Sequence, residues 1–245
     1  MPVEIDEVLR RSEQGMTNPY ICRGSDGKLY FVKGKGAGYA SLVREWIVGQ
    51  LALRLELPIA PFCIVEVPRE LYEASHNGLL SDLGCGLFFG SENVENTTQL
   101  SFSVAQQVSI DLKRNIAAFD WWIQNGDRTL SETDGNPNLL WSETAQRLIV
   151  IDHNVAFDET VTLDTLFASH IFGSSLSELC DQVQLQSHYN ALFDGAVQDL
   201  PKIIDDIPER WLYADDACTV DIDLSLRRVE DILMRYRVPS FWERT

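Results

Sequence analysis

The chain has 245 residues, 45% of them hydrophobic, enough for one large domain or two small ones around a buried core. With 37 Asp and Glu against 20 Lys and Arg, its net charge of −17 argues against broad binding to nucleic acid or to an anionic membrane, because neutralising phosphates needs clustered cations. No apolar run approaches the roughly 18 residues of a membrane helix, and MPVEIDEVLRRSEQ lacks the charged start and apolar stretch of a signal peptide, so the expected location is the cytoplasm.

Residues 20–33, YICRGSDGKLYFVK, read as two strands around a Gly-Ser-Asp-Gly turn, with Lys33 ending the second strand. GKGAGYA then leads into a helix, SLVREWIVGQLALRLELP, in which Val43, Ile47, Leu51 and Leu55 share one face. Ser41 is its expected N-cap and Pro58 its expected stop. IAPFCIVEVP and GCGLFFG read as short apolar strands, making the first ~90 residues a small sheet with one helix packed on it.

Beyond SENVENTTQ the pattern turns helical. Val104, Val108, Leu112, Ile116, Phe119 and Ile123 have the spacing of one long helix with a buried side. RLIVID reads as a strand, and from Leu163 onward helices alternate with polar breaks such as FGSS and DDIP. Phe119, Trp121 and Trp122 read as core packing rather than a ligand cage. No internal repeat interrupts this order.

Five cysteines (Cys22, Cys63, Cys85, Cys180, Cys218) are scattered without a C-x-x-C pair, so they read as small buried hydrophobes rather than disulfide partners or zinc ligands. The four histidines (His76, His153, His170, His188) lack H-x-x-x-H spacing, against a zinc hydrolase. D-G-N-P-N opens like a calcium loop, but Leu139 stands where Gly is needed and Ala145 where Glu is needed. No G-x-S-x-G is present.

What remains is an ordered set of polar groups: Lys33 at a strand end, Glu45 early in the next helix, the loop NGDRTLSETDGNPNLL from Asn125, and Asp152 after an apolar strand. Phosphoryl transfer from ATP needs these types of group: a cation on the α/β-phosphates, an acid that holds it, a positioner for the acceptor hydroxyl, and oxygen ligands for Mg²⁺. A carboxylate emerging from the LIVI strand is itself costly unless it is paired or coordinated.

YFVKG with VREW, the FFGS segment, NGDR followed by NPNLL, LIVIDHNVAF and IIDDIPERWL together resemble the HipA-like kinases, in particular their short members, within the protein kinase-like superfamily. The similarity to phosphoinositide and other lipid kinases is more distant. The resemblance covers most of the chain and implies an α+β, bilobal kinase-like domain over 1–245, with a sheet-rich N-lobe at 1–92 and a mostly helical C-lobe at 93–245. It implies ATP and Mg²⁺ as ligands and a Ser or Thr hydroxyl of a protein as acceptor.

Carried over by residue, Lys33 resembles the ATP-phosphate lysine and Glu45 its helix partner; Phe88, Phe89 and Gly90 resemble the strand whose backbone meets the adenine edge. Asp127 resembles the catalytic aspartate, with Arg128 beside it holding the loop through charge-assisted bonds, and Asp152 resembles the metal-binding aspartate. The loop departs from the family pattern. Protein kinases place the metal-binding asparagine five residues after the aspartate, whereas Asn136 and Asn138 come nine and eleven residues later, so both stay open as the ligand. RGSDG is not G-x-G-x-x-G: Gly24 to Gly27 read equally as a phosphate cradle or as an ordinary hairpin turn. In each case the plain alternative is structural, a solvated Lys33 and Glu45, a buried edge strand at Phe88 to Gly90, or Asp127 capping a turn with Arg128 at the surface. Two other functions stay open: a kinase-shaped binding module without turnover, and a small-molecule kinase whose acidic surface suits a cationic acceptor. The resemblance also raises a toxin–antitoxin type of partner, while the chain is too short for the additional N-terminal subdomain of the longer family members.

Overall fold

A computed structural model of the chain describes residues 1–12, 18–74, 80–131 and 134–244; His76 and the centre of the TLSETDG segment, Glu132 and Thr133, lie outside them. The architecture is α+β, sheet-rich in its N-terminal part and helical in its C-terminal part. Two compact units emerge, and they are interleaved in sequence: Met1–Trp46, Ala60–Glu95 and Ile207–Asp223 form the first, and Ile47–Ile59, Asn96–Asp206 and Leu224–Thr245 the second.

The first unit is a five-stranded closed barrel of β1 (Val3–Arg11), β2 (Tyr20–Gly24), β3 (Leu29–Lys33), β4 (Phe62–Val67) and β5 (Gly86–Glu92), in the order β1-β2-β3-β5-β4. The hairpin expected at 20–33 is present, pairing Tyr20 with Val32 and Cys22 with Tyr30. Instead of an open sheet there is a barrel, because β1 joins β2 antiparallel and β4 parallel through Val3 and Val65. The helix α1 (Tyr39–Arg54) and the short α2 (Arg69–Ala74) complete the N-terminal part. Trp211, wholly buried, donates its indole N–H to the Leu87 carbonyl (2.8 Å) and so stitches the 207–223 segment to the barrel.

Two boundaries of α1 differ from the expected ones. Gly38, at φ 78°, turns the chain so that the helix starts at Tyr39, which places Ser41 inside the first turn rather than at the cap. At the other end the helix stops at Arg54 and Glu56 takes φ 55°, before Pro58 is reached. Val43, Ile47 and Leu51 are fully buried, as their spacing requires.

The second unit holds the three-stranded sheet β6 (Thr97–Gln99), β7 (Leu139–Ser142) and β8 (Arg147–Val150), joined in that order. Around it lie α3 (Phe102–Ala105), α4 (Ile110–Trp122), α5 (Leu163–Ser169), α6 (Gly173–Cys180), α7 (Val183–Val197), α8 (Leu200–Asp205) and α9 (Leu226–Leu233). The single long helix expected over 104–123 is two, because the Ser109 side chain accepts from the Leu112 N–H and starts α4 afresh. Trp122 stacks on Phe193 with ring centroids 4.4 Å apart and donates to the Leu233 carbonyl, and Trp121 stacks on Phe241, so this aromatic group is core. Of the five free cysteines only Cys22 is buried; Cys63, Cys85 and Cys180 are partly exposed and Cys218 is exposed, which corrects the buried reading for those four. Among the described residues no helix is long and apolar enough to cross a membrane.

Trp122→Ala removes a stacked, hydrogen-bonded ring and should cost about 3–5 kcal/mol in urea unfolding. Leu53, 51% exposed, is the control: Leu53→Ala should stay within about 0.5 kcal/mol. Equal losses would show that the Trp122 stack does not anchor the second unit.

Candidate functional site

Each unit carries part of the constellation, and each part stands by itself. In the first, β3 delivers Lys33 and the second turn of α1 delivers Glu45. Lys33 is 8% exposed and Glu45 3%, and the ammonium donates to Glu45 Oε1. The solvated alternative therefore falls. Enclosing two charges is costly even when they are paired, so such a pair is weak evidence for stability and better evidence for a role.

Two further expectations on this unit each have a local structural setting. Phe89 and Gly90 lie inside the barrel wall, opposite Lys33 and Val32 on β3 and opposite Ile64 and Cys63 on β4. The ladders engage the peptide groups of Phe89 and Gly90, while Phe88 pairs with Val65 on β4 and its side chain is buried. Gly90 has a packing reason, since a Cβ there would meet Val65 Cγ1 at 2.6 Å.

The second concerns Gly24 and Gly27. The N–H of Gly24 donates to Lys28 O (2.9 Å), that of Ser25 to Glu4 O (2.8 Å) and that of Gly27 to Gly24 O (2.8 Å). The turn also presents Asp26. Burial alone would raise this carboxyl's pKa, but hydrogen bonds from the Tyr30 hydroxyl and the Lys28 N–H hold it below the usual value. The turn has the bonding of a closed hairpin and carries an anion, the setting of the structural alternative for Gly24 and Gly27.

In the second unit the loop hangs from the end of α4. Asp120, in the last turn of that helix and wholly buried, accepts from Arg128 Nε (2.6 Å), Asn125 Nδ2 (2.9 Å) and His170 Nε2 (2.9 Å). The Phe172 N–H donates to His170 Nδ1 (3.0 Å), so the imidazole proton sits on Nε2 and points at the carboxylate. Burial pushes the Asp120 pKa up, but the Arg128 charge and the His170 hydrogen bond overcome it and leave the carboxyl well below the usual range.

Arg128 is equally enclosed, which rules out its reading as a surface partner of Asp127. Its Nη1 donates to the carbonyls of Asn138 (2.6 Å), Pro137 (3.3 Å) and Ile151 (3.4 Å). One guanidinium thus ties together the start of the loop, its end and the residue before Asp152. Grouped with Asp127 as catalytic in the sequence, Arg128 is bonded to Asp120 and to the chain's own carbonyls.

The described ends of the TLSETDG segment are tied to one another. The N–H of Thr129 donates to Asn136 O (3.0 Å), and the N–H of Ser131 to Asp134 O (2.8 Å). The chain therefore returns to its starting point, and both open asparagines reach the same atom: Nδ2 of Asn136 (3.1 Å) and of Asn138 (3.0 Å) donate to Asp127 Oδ2. An ionised carboxylate only accepts, so both amides must turn their NH₂ inward. Both side-chain carbonyl oxygens are then turned away from Asp127 Oδ2.

Asp152 follows β8, half-buried, and the preceding N–H, that of Ile151, donates to Asn138 O (3.1 Å). Asn138 takes φ 47° and Asp152 φ 56°, left-handed values that Asn and Asp adopt more readily than other side chains and that gather at functional sites. Among the described residues no three His, Cys, Asp or Glu side chains cluster as a metal site. One carboxylate with amide oxygens is a set that Mg²⁺ accepts when waters and phosphates complete its shell. A small cleft lined by Gln124, Glu159, Arg228 and Arg235 contains none of these residues.

Sequence reasoning missed Asp120 and His170. The signal for the first was present: a carboxylate within AAFDWW, where burial demands a partner.

Because Asp120 titrates lower folded than the value near 3.9 of an unfolded chain, its contribution is complete above about pH 5 and is lost as pH falls through the folded value. Asp120→Asn should cost about 3–5 kcal/mol at pH 7 by leaving Arg128 buried without a counter-ion, and should flatten the acid limb of stability against pH. Urea midpoints between pH 3 and 7 check this; an unchanged acid limb would remove the claim.

No curated protein matches this chain. A family match, described as HipA-like kinase, runs from residue 5 to residue 245, nearly the whole length. The chain whose Lys33–Glu45 pair and Asp127 loop are described above belongs to the HipA-like kinase family.

Proposed function

We propose that the protein is an ATP- and Mg²⁺-dependent phosphotransferase with a bilobal kinase-like fold, small lobe 1–92 and large lobe 93–245, which transfers the γ-phosphoryl group to a hydroxyl, foremost a Ser or Thr of a protein. The observation that carries this reading is the convergence of Asn136 and Asn138 on Asp127 Oδ2, beside the segment that leads to Asp152.

On this reading Asp127 keeps its second carboxylate oxygen for the acceptor, orients the hydroxyl and takes its proton as the phosphoryl group moves. The two amides fix the carboxylate's rotation. Asp152 and the amide oxygen of Asn136 or Asn138 would hold Mg²⁺, which would supply the positive charge that offsets the phosphates. Lys33, steadied by Glu45, binds the α/β-phosphates.

Catalysis of this kind is mostly positioning and electrostatics, so removing one member costs orders of magnitude rather than everything. With labelled ATP and Mg²⁺, Asp127→Ala and Asp152→Ala should each lower transfer by about 10²- to 10⁴-fold. Equal labelling in the wild type and both variants would remove the mechanism.

One observation favours a second reading, a nucleotide-binding module without turnover: the β2–β3 turn offers no amide among Gly24, Ser25 and Gly27 to a phosphate. Strong Mg²⁺-dependent ATP binding by thermal shift, with no transfer to peptide or cationic small-molecule acceptors, would establish that reading over the first.

A further inference from the structure

Two motifs have no part in the reading above: GKGAG after Lys33, and the IPERWL segment with the acidic loop behind it. The fold brings them together within the first unit. Lys35 Nζ lies 2.7 Å from Asp216 Oδ2 and 2.9 Å from Oδ1, and Arg210 Nη2 lies 2.8 Å from the same Oδ1. One carboxylate therefore sits in a fork made of two cations.

The cations are arranged in advance. Arg210 lies over the Tyr39 ring, 4.3 Å from its centroid, and donates Nη1 to Tyr213 O (2.9 Å), so the guanidinium plane is held whether or not an anion is present. Lys35 follows Lys33 by two residues, across an extended Gly34 (φ −88°, ψ −164°). Its backbone is pinned, because the N–H groups of Lys35 and Gly36 donate to Leu83 O (2.9 Å) and Asp82 O (2.6 Å). The Asp82 carboxylate is itself engaged by Arg11 at 2.9 Å.

Asp216 differs from the cations in how it is held. Its neighbour Asp215 locks the loop, accepting from Thr219 N (2.9 Å), Val220 N (2.7 Å) and Thr219 Oγ1 (2.7 Å). The Asp216 side chain is 73% exposed and touches the fork only through ionic hydrogen bonds. Such exposed pairs contribute little stability and are readily exchanged. Two cations against one carboxylate also leave a positive charge over, on a chain whose net charge is −17. A phosphate chain, with more charge and more acceptor oxygens, suits the fork better than the carboxylate that occupies it.

We propose that Lys35 and Arg210 form a second phosphate-binding site, for the polyphosphate tail of a nucleotide, and that Asp216 is its internal occupant, displaced when the nucleotide binds. The nucleoside part of this ligand rests on the kinase reading; the anion site does not. Occupancy by Asp216 lowers the competent fraction and so the apparent affinity by the same factor.

The test is calorimetric titration of the full chain with inorganic tripolyphosphate and, separately, with MgATP. Asp216→Asn and Asp216→Ala should each tighten tripolyphosphate binding about fivefold, and adding Arg210→Gln to either should abolish the gain. Unchanged or weaker binding by both single variants, or a gain that survives Arg210→Gln, overturns the site. A tripolyphosphate gain with no MgATP binding by any variant keeps the anion site and removes the nucleotide reading. MgATP binding that ignores positions 216 and 210 does the reverse.

Discussion

The second unit depends on one buried carboxylate. Asp120 lies in the last turn of α4 in a position with no access to water, where an unpaired charge would be untenable, and it is answered by Arg128, Asn125 and His170. Replacing such a cluster with apolar residues often costs a protein nothing in stability. What an apolar core could not do is direct a guanidinium onto the carbonyls of Pro137, Asn138 and Ile151. The cluster converts burial into geometry, and the geometry is that of Asp127, both asparagines and the approach to Asp152.

The first unit works by a related economy. Lys33 and Glu45 form its enclosed ion pair, on a strand and a helix whose other residues are packed. Around them most polar backbone is spoken for: the hairpin amides are closed, and β5 is paired on both sides at Phe89 and Gly90. The cationic fork of Lys35 and Arg210 is occupied as well, by a carboxylate on a locked loop.

Much of this was legible in the residues, and what was not has physical reasons. The hairpin at 20–33 shows alternation and a Gly-Asp turn, both local signals. By contrast β1 buries only Ile5 among its nine residues, so no apolar alternation marks it, and barrel closure depends on pairing Val3 with Val65, far away in sequence. The long helix broke at Ser109 because a cap outweighed a periodicity that the apolar positions alone could not exclude. Asn136 and Asn138 were inseparable by spacing, since spacing does not reveal that Thr129 and Asn136 close the excursion; once it is closed, both amides meet one oxygen. Asp120 was visible as an anomaly in an apolar helix, but its partner His170 lies 50 residues on, with nothing local to mark it.

The central claim is that the amides of Asn136 and Asn138 face Asp127 so that their carbonyl oxygens, with Asp152, are left to a metal beside the phosphates. A crystal structure with Mg²⁺ and a non-hydrolysable ATP analogue tests this most directly. The account predicts a metal bonded to the Asp152 carboxylate and to an amide oxygen of Asn136 or Asn138, with the bonds to Asp127 Oδ2 retained. A nucleotide whose metal touches neither Asp152 nor either asparagine would contradict it.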